Sequence, residues 1–276
     1  MAKDCEQVLF VTFAKDGLYQ IQCSGLVPGP GHVCCTLIVG ENKCLLIDNG
    51  FGDDDFTDFP PELQPLMAGK ELICVGTHAH PDHIGGARQF PSIWVHPDDN
   101  DLIAGIFGDA YDPKANKIGD TQVLPLADGQ IFDLGGRKVK TIHTPGHTWG
   151  SCCFYDDKSQ LIMTGDALNR HVMYQCVHPA VPLRVCAEKL ENLLQYNFAL
   201  FLGGHHGDPF PRDFVTRMVQ LIRAFDVEKA PPYIRKDLEK LNIIGDHRNF
   251  HWGRGYGDPE YVSIIVDAAR LDEYLK

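Results

Sequence analysis

Five apolar, strand-like runs in this chain finish on a histidine or an aspartate: "LLID" on Asp48, "LICVGTH" on His78, "VKTIHTPGH" on His147, "LIMTGD" on Asp166 and "FLGGH" on His205. Polar groups of this kind are costly to bury without partners. Strand ends along one edge of a sheet can meet in space while lying far apart in the chain. The pattern calls for a fold whose inner strands deliver their ends to one place.

The connecting segments fit such a fold. "HVCCTLIVGENKCLLIDNG" predicts two strands around a "GENK" turn, and "KELICVG" a buried strand that runs straight into "THAHPDHIGG". "IGGARQF" begins like a helix that Pro91 closes, and "SIWVH" is another strand. "GQIFDLGGRKVKTIHTPGH" predicts a hairpin turning at Gly135-Gly136, and "SCCFYDDKSQLIMTGDAL" a hairpin ending on Asp166. Val185, Leu190, Leu193 and Leu194 have helical spacing ahead of the strand "FALFLGG". "RDFVTRMVQLIRAF" is amphipathic, "YVSIIVD" is strand-like, and "AARLDEYL" is a short helix. Gly105 to Asp120 is rich in turn formers without a period and is expected to be an irregular insertion. The whole reads as one domain over 1–276, with a core at about 17–210 and a C-terminal extension at about 211–276.

Composition narrows the function. The chain has 25 basic and 37 acidic residues, a net charge of −12, whereas sustained contact with a phosphate backbone needs a basic face. Its densest basic group, Arg235, Lys236 and Lys240, reads as a solvated helix face. A small-molecule substrate is therefore expected, and no nucleic acid. Ten cysteines are present without a Cys-x-x-Cys. Cys34, Cys35, Cys74, Cys152 and Cys153 lie in apolar runs, so they are expected as buried thiols. "MAKDCEQVLF" lacks the pattern of a signal peptide, and no run of about 18 apolar residues exists to span a membrane. The expectation is a cytoplasmic protein without a membrane partner; the oligomeric state is left open, a homodimer included.

The chemistry is concentrated in "HAHPDH". His78 and His80 alternate by two and point the same way on an extended chain, so they can grip one ion. Asp82 and His83 follow where the chain turns, and aim at a second point. Zinc takes four ligands, or three and a water at a catalytic site, so the loop needs help. His147 can be the third ligand of the first ion and His205 can serve the second, while Asp166, with two oxygens, can bridge them.

"THAHPDHIGG" matches the HxHxDH signature of the metallo-β-lactamase superfamily, and Asp48, His147, Asp166 and His205 follow in that family's order. The chain resembles that family over roughly residues 17 to 210. The resemblance implies an α/β fold, a four-layer αβ/βα sandwich with metals at one edge of the paired sheets. It assigns His78, His80 and His147 to one ion, Asp82, His83 and His205 to the other, Asp166 between them, and Asp48 as outer support. Two departures matter. The last motif is usually Pro-Gly-His; here it is Gly203-Gly204-His205, followed by His206 and Gly207. Counting from the strand end favours His205, whereas aligning the glycine that often follows favours His206. Asp166 stands where the true zinc β-lactamases often carry cysteine, and looks like the lactonase, glyoxalase II and phosphodiesterase branches.

The activity so implied is hydrolysis by two zinc ions, with iron or manganese as other candidates. A bridging hydroxide would attack the carbonyl of a small ester, lactone or thioester, with Asp82 as the catalytic group that orients it and moves its proton. The alternatives are an oxidoreductase like the mononuclear-iron persulfide dioxygenases and a phosphodiesterase like ribonuclease Z, which the charge disfavours. Thr148, Trp149, the segment "NRHVMYQCVHP" and the loop-like "HRNFHWGRGYGDPEY" are candidates to line the pocket. His171, His178, His247 and His251 read as loop or surface residues, and His96 as a structural residue at a strand end.

Overall fold

The structure, a computed structural model, describes residues 9–23, 33–52, 56, 58–105, 118, 120–169, 171–173, 180–234, 245–255 and 258–276. Strands β1 (Phe10–Lys15), β2 (Leu18–Gln22), β3 (Cys34–Val39), β4 (Lys43–Ile47), β5 (Glu71–Val75), β6 (Ser92–Val95) and β7 (Gln122–Pro125) form a first sheet in that order. β1 to β4 pair antiparallel and β4 to β7 parallel. Parallel pairing puts the ends of β4 and β5 at the same edge, which brings Asp48 beside the histidine loop.

The second sheet contains β8 (Ile131–Asp133), β9 (Lys138–His143), β10 (Cys152–Asp156), β11 (Leu161–Gly165), β13 (Leu200–Gly203) and β14 (Phe210–Pro211), in the order β14-β13-β11-β10-β9-β8. β11 and β13 are parallel, so Asp166 and His205 emerge together. A third sheet joins β12 (His171–Met173), β16 (Val262–Asp267) and β15 (His247–Trp252). The helices are α1 (Gln64–Met67), α2 (Pro81–Ile84), α3 (Asn100–Gly105), α4 (Leu183–Asn192), α5 (Asp213–Arg223) and α6 (Leu271–Tyr274).

Strand β4 shows why the apolar runs lack polar alternation. Successive side chains point to opposite faces of a sheet. Leu45 and Ile47 face the second sheet and pack with Val139, Phe154 and Met163. Cys44 and Leu46 face the other way, in a core with Leu63, Ile84 and Leu102 of the covering helices. The outer face of the second sheet (Ile142, Cys153, Ile162 and Phe201) is covered by α4 and α5 through Cys186, Leu190, Phe214 and Met218. Helix, sheet, sheet and helix are thus stacked in four layers, as expected.

Several details differ from the sequence reading. The first sheet starts at Phe10, upstream of the core boundary placed near 17. Beyond "HAHP" the chain makes one α-turn and then a 3-10 helix over Gly85–Gln89. Half of "HRNFHWGRGYGDPEY" is not a loop: β15 pairs with β16 along its whole length. His247 is consequently buried in a sheet and His251 half-buried. The residues after 211 share one core with α4, because α5 and β16 contribute Val215, Ile222, Ile264 and Val266 to it. Most of the insertion expected at 105–120 lies outside the described residues, as do Arg235, Lys236, Lys240 and His178. The described cysteines are free and buried. Among the described residues no helix is long and apolar enough to cross a membrane.

At the end of the sheets away from those strand ends, one buried ion pair ties the layers. Arg137 donates Nε to Asp156 Oδ1 at 2.7 Å and Nη2 to Oδ2 at 2.6 Å. Its Nη1 donates to the carbonyls of Asp16 at 2.7 Å and Val39 at 3.3 Å, in the first sheet. Burial opposes ionisation of Asp156, but bonds from Arg137 and Ser159 hold its carboxyl below the usual range. Breaking a buried pair costs about 3–5 kcal/mol because the remaining charge is stranded. We expect Arg137→Ala to lose about that much in urea unfolding at neutral pH. The deficit should shrink on acidification, as Asp156 takes a proton; a variant as stable as the parent at neutral pH would show the clamp to be idle.

Candidate metal centre

The site is built outward from Asp48. This residue leaves β4 with a φ of 63°, a left-handed turn that aspartate tolerates. Its Oδ1 accepts the Thr77 N–H at 2.7 Å; its Oδ2 accepts the Thr77 hydroxyl at 2.9 Å and His83 Nδ1–H at 2.7 Å. Donation from Nδ1 leaves the lone pair of His83 on Nε2, as outer-shell carboxylates commonly arrange for metal-binding imidazoles. His83 is fully buried, and its Nε2 has no hydrogen-bond partner among the described residues. That atom faces Asp166 Oδ1 at 3.6 Å and Asp82 Oδ2 at 3.7 Å. A buried nitrogen aimed between two carboxylates fits a positive guest there, a proton or a metal ion.

The extended-then-turned geometry of the histidine loop is present. His80 is extended, with φ −73° and ψ 151°, and Pro81 begins α2. His78 Nε2 and His147 Nε2 each lie 2.8 Å from His80 Nδ1. Asp82, His83 and His205 form a second group, with His205 Nε2 3.5 Å from Asp82 Oδ2. Asp166 stands between the groups: its Oδ2 is 3.1 Å from His205 Nε2 and 3.7 Å from His147 Nε2. The Asn169 amide donates to Asp166 Oδ1 at 2.8 Å and fixes the carboxylate plane. His205 faces this cluster; His206 instead lies edge-on to the Phe210 ring at 5.0 Å. Gly204 is required by close approach, because a Cβ there would sit 2.7 Å from both Asp166 Oδ1 and His83 Cε1.

The electrostatics favour a positive guest. Burial opposes a charge on His83, yet Asp48, Asp82 and Asp166 outweigh it and push the imidazole up to about 10. His205 is raised against its own burial, chiefly by Asp166. Asp166 is held well below the ordinary carboxylate range, burial being outweighed by His205 and His83. His78, buried and crowded by His83, His80 and His147, is lowered. One half of the site is thus rich in imidazole nitrogens and the other in carboxylates.

Thr148 does not line a pocket: it is fully buried and its hydroxyl donates inward to Asp99 at 2.8 Å. Trp149 is partly exposed, at 37%. His96 stacks on His143 at 3.9 Å and 8°, with Asp98 nearby. These three form a further group of close ligand atoms, more exposed than those above, in which His143 Nε2 already bonds the Trp149 carbonyl at 2.8 Å. Sequence reasoning missed Thr77, Asp99 and Gln20, and reached Asn169 only as the first residue of a candidate pocket segment, not as a support of Asp166. The Gln20 amide donates to the carbonyls of Gly203 at 3.1 Å and His206 at 2.9 Å, holding the segment that carries His205. None of these four carries a spacing signature.

Comparison with known proteins places this geometry. The family model described as "Metallo-beta-lactamase superfamily" matches residues 28–205. The acyl-coenzyme A thioesterase MBLAC2 of Homo sapiens is 27% identical over 182 residues, 55% of this chain and 64% of that protein. This chain thus spans less than two thirds of that relative's length. An atrochrysone carboxyl ACP thioesterase of Cryptosporiopsis sp. (strain 8999) is 34% identical over 139 residues, 49% of this chain and 38% of that protein. Among solved structures, a metallo-beta-lactamase from Pontibacter korlensis superposes with a TM-score of 0.61 at 16% identity, covering 79% of this chain and 100% of that one.

The two histidines after β13 can be separated by experiment. His205→Ala should lower the metal content read by elemental analysis, and His206→Ala should leave it unchanged. The reverse result would exchange their roles.

Proposed function

The chain belongs to the metallo-beta-lactamase superfamily, and from that premise we propose that it is a dinuclear zinc-dependent hydrolase of thioesters. His78, His80 and His147 would hold one ion, Asp82, His83 and His205 the other, and Asp166 both. One observation carries the dinuclear reading: a single carboxylate, Asp166, reaches nitrogen donors of both groups. The thioester class is supported by the activities named for two relatives, an acyl-coenzyme A thioesterase and an ACP thioesterase.

Two divalent ions held there would bring the pKa of water towards neutrality and polarise an acyl carbonyl. The protein's own part is to place and move protons. Asp82 is a fifth exposed on its side chain, like His205, so the open side of the site lies at these two residues. There the Asp82 carboxylate can orient the attacking water and accept its proton. Asp48 and Asn169 keep His83 and Asp166 from rotating as charge develops. The leaving thiol, with a pKa of about 8.5 by analogy with cysteine, departs as a thiolate without a strong acid. A thioester therefore asks less of a proton donor than an alkyl ester, whose alkoxide leaving group is far more basic. Trp149, exposed two residues beyond His147, offers an apolar face to the acyl chain.

Turnover can be read as release of free thiol from acyl-coenzyme A, acyl-pantetheine and acyl-carrier substrates. Chelation should abolish it and zinc restore it. Asp82→Asn should lower kcat by about 10²–10⁴-fold, the usual worth of a positioned acid–base group. Bound iron with oxygen consumption, or zinc-loaded protein inert towards every thioester tried, would overturn the proposal.

A further inference from the structure

A second buried carboxylate, Asp99, sits on the far side of the histidine loop from Asp48. It lies at the junction of a 3-10 turn (Pro97–Asp99) and α3, and is 1% exposed. Its Oδ2 accepts the Ala79 N–H at 2.9 Å and the Thr148 hydroxyl at 2.8 Å; its Oδ1 accepts the Gly150 N–H at 2.7 Å. Ala79 is the residue between His78 and His80, and Thr148 follows His147. One carboxylate therefore joins the two separate segments that supply the nitrogen-rich half of the site. The turn closes tightly around it: a Cβ on Gly150 would lie 2.5 Å from Asp99 Cγ. Among the described residues, the backbone tie between these segments is Cys152 N–H to the Thr77 carbonyl at 2.8 Å, outside the His78–His147 span.

The two buried carboxylates divide the work. Asp48 bonds His83 directly and approaches His78 through Thr77, whose hydroxyl lies 3.1 Å from His78 Nδ1. Among the described residues, the Asp48 side chain bonds Thr77 and His83 and not the backbone at Ala79 or the His147 segment. Those are the contacts that Asp99 makes. Three protein donors on one buried carboxylate form a rigid support of the kind that orients ligands from outside the coordination sphere.

We infer that Asp99 is a positioning residue that sets the spacing of His78, His80 and His147, and so the affinity of the ion these three would hold. The inference rests on the dinuclear reading above. Outer-shell substitutions typically weaken metal binding by about 10–100-fold, and here the loss should fall on one ion of the two.

The test is stepwise zinc titration of the full chain against a chromophoric chelator, with circular dichroism as the check on folding. The parent should take up two ions. Asp99→Ala should weaken one of them by about 10–100-fold and leave the other at parental affinity. Gly150→Ala, which displaces the carboxylate without removing it, should do the same. Thr148→Val removes one of the three bonds and should give a smaller shift in the same step, so a poorly folded Asp99→Ala chain does not end the test. Repeating the titration in a His205→Ala background, where only the His78/His80/His147 ion remains, identifies which ion is affected. Folded variants that bind both ions as the parent does would overturn this inference alone. A parent that binds fewer than two ions would overturn the dinuclear reading and this inference with it. General destabilisation would weaken both steps together, which also contradicts the assigned role.

Discussion

The Asp48 carboxylate, buried at the end of β4 with the Thr77 amide, the Thr77 hydroxyl and the His83 ring all donating to it, is the contact on which the functional edge depends. It can be there only because β4 and β5 are parallel, and it is tolerable there only because three donors replace lost water. Its effect is to turn His83 Nε2 to the place where the carboxylates of Asp82, from α2, and Asp166, from the end of β11, also arrive. A charged, dry cluster of this sort is unfavourable unless something neutralises it. The imidazoles beside the acids, His83 and His205, respond by being raised, while His78, among other imidazoles, is lowered. Cations held between the groups would answer both strains at once.

The remainder of the fold keeps this edge in register. Two sheets press Leu45, Ile47 and Val75 against Phe154, Leu161 and Met163, which fixes the distance between strand ends that belong to different sheets. The Arg137–Asp156 clamp closes the opposite end. Chemistry that varies among members of a common fold is decided by the site and not by the scaffold. Here Asp166 at the middle, Asp82 at the open side and the weak proton demand of a thiol leaving group together support thioester hydrolysis.

Much of this was legible in the sequence for a physical reason. Inner strands are covered on both faces, so "CCTLIV", "KCLLI" and "LIMTG" read as unbroken apolar runs, and their polar ends stand out. The alternation of His78 and His80, and the turn introduced by Pro81, are local geometry and are equally visible. β1 was not, since "FVTFAK" is an edge strand whose residues are exposed or half-buried. β15 was missed because only His247 and Phe250 of "HRNFHW" are buried, leaving no period-two pattern. Asp99 was hidden among the acids of "HPDDND": nothing in the chain separates it from Asp98 or Asp101, and only burial does so. Thr77 acts through the Asp48 carboxylate and Gln20 through the Gly203 carbonyl, partners brought near by the fold that no spacing rule encodes.

The account's central claim is that two zinc ions flank Asp166. Anomalous diffraction from zinc-loaded crystals, collected at the zinc and iron absorption edges, tests it most directly. The claim predicts two zinc peaks about 3.5–4 Å apart, one among His78, His80 and His147 and one among Asp82, His83 and His205. A single peak, a signal at the iron edge alone, or peaks away from Asp166 would contradict it.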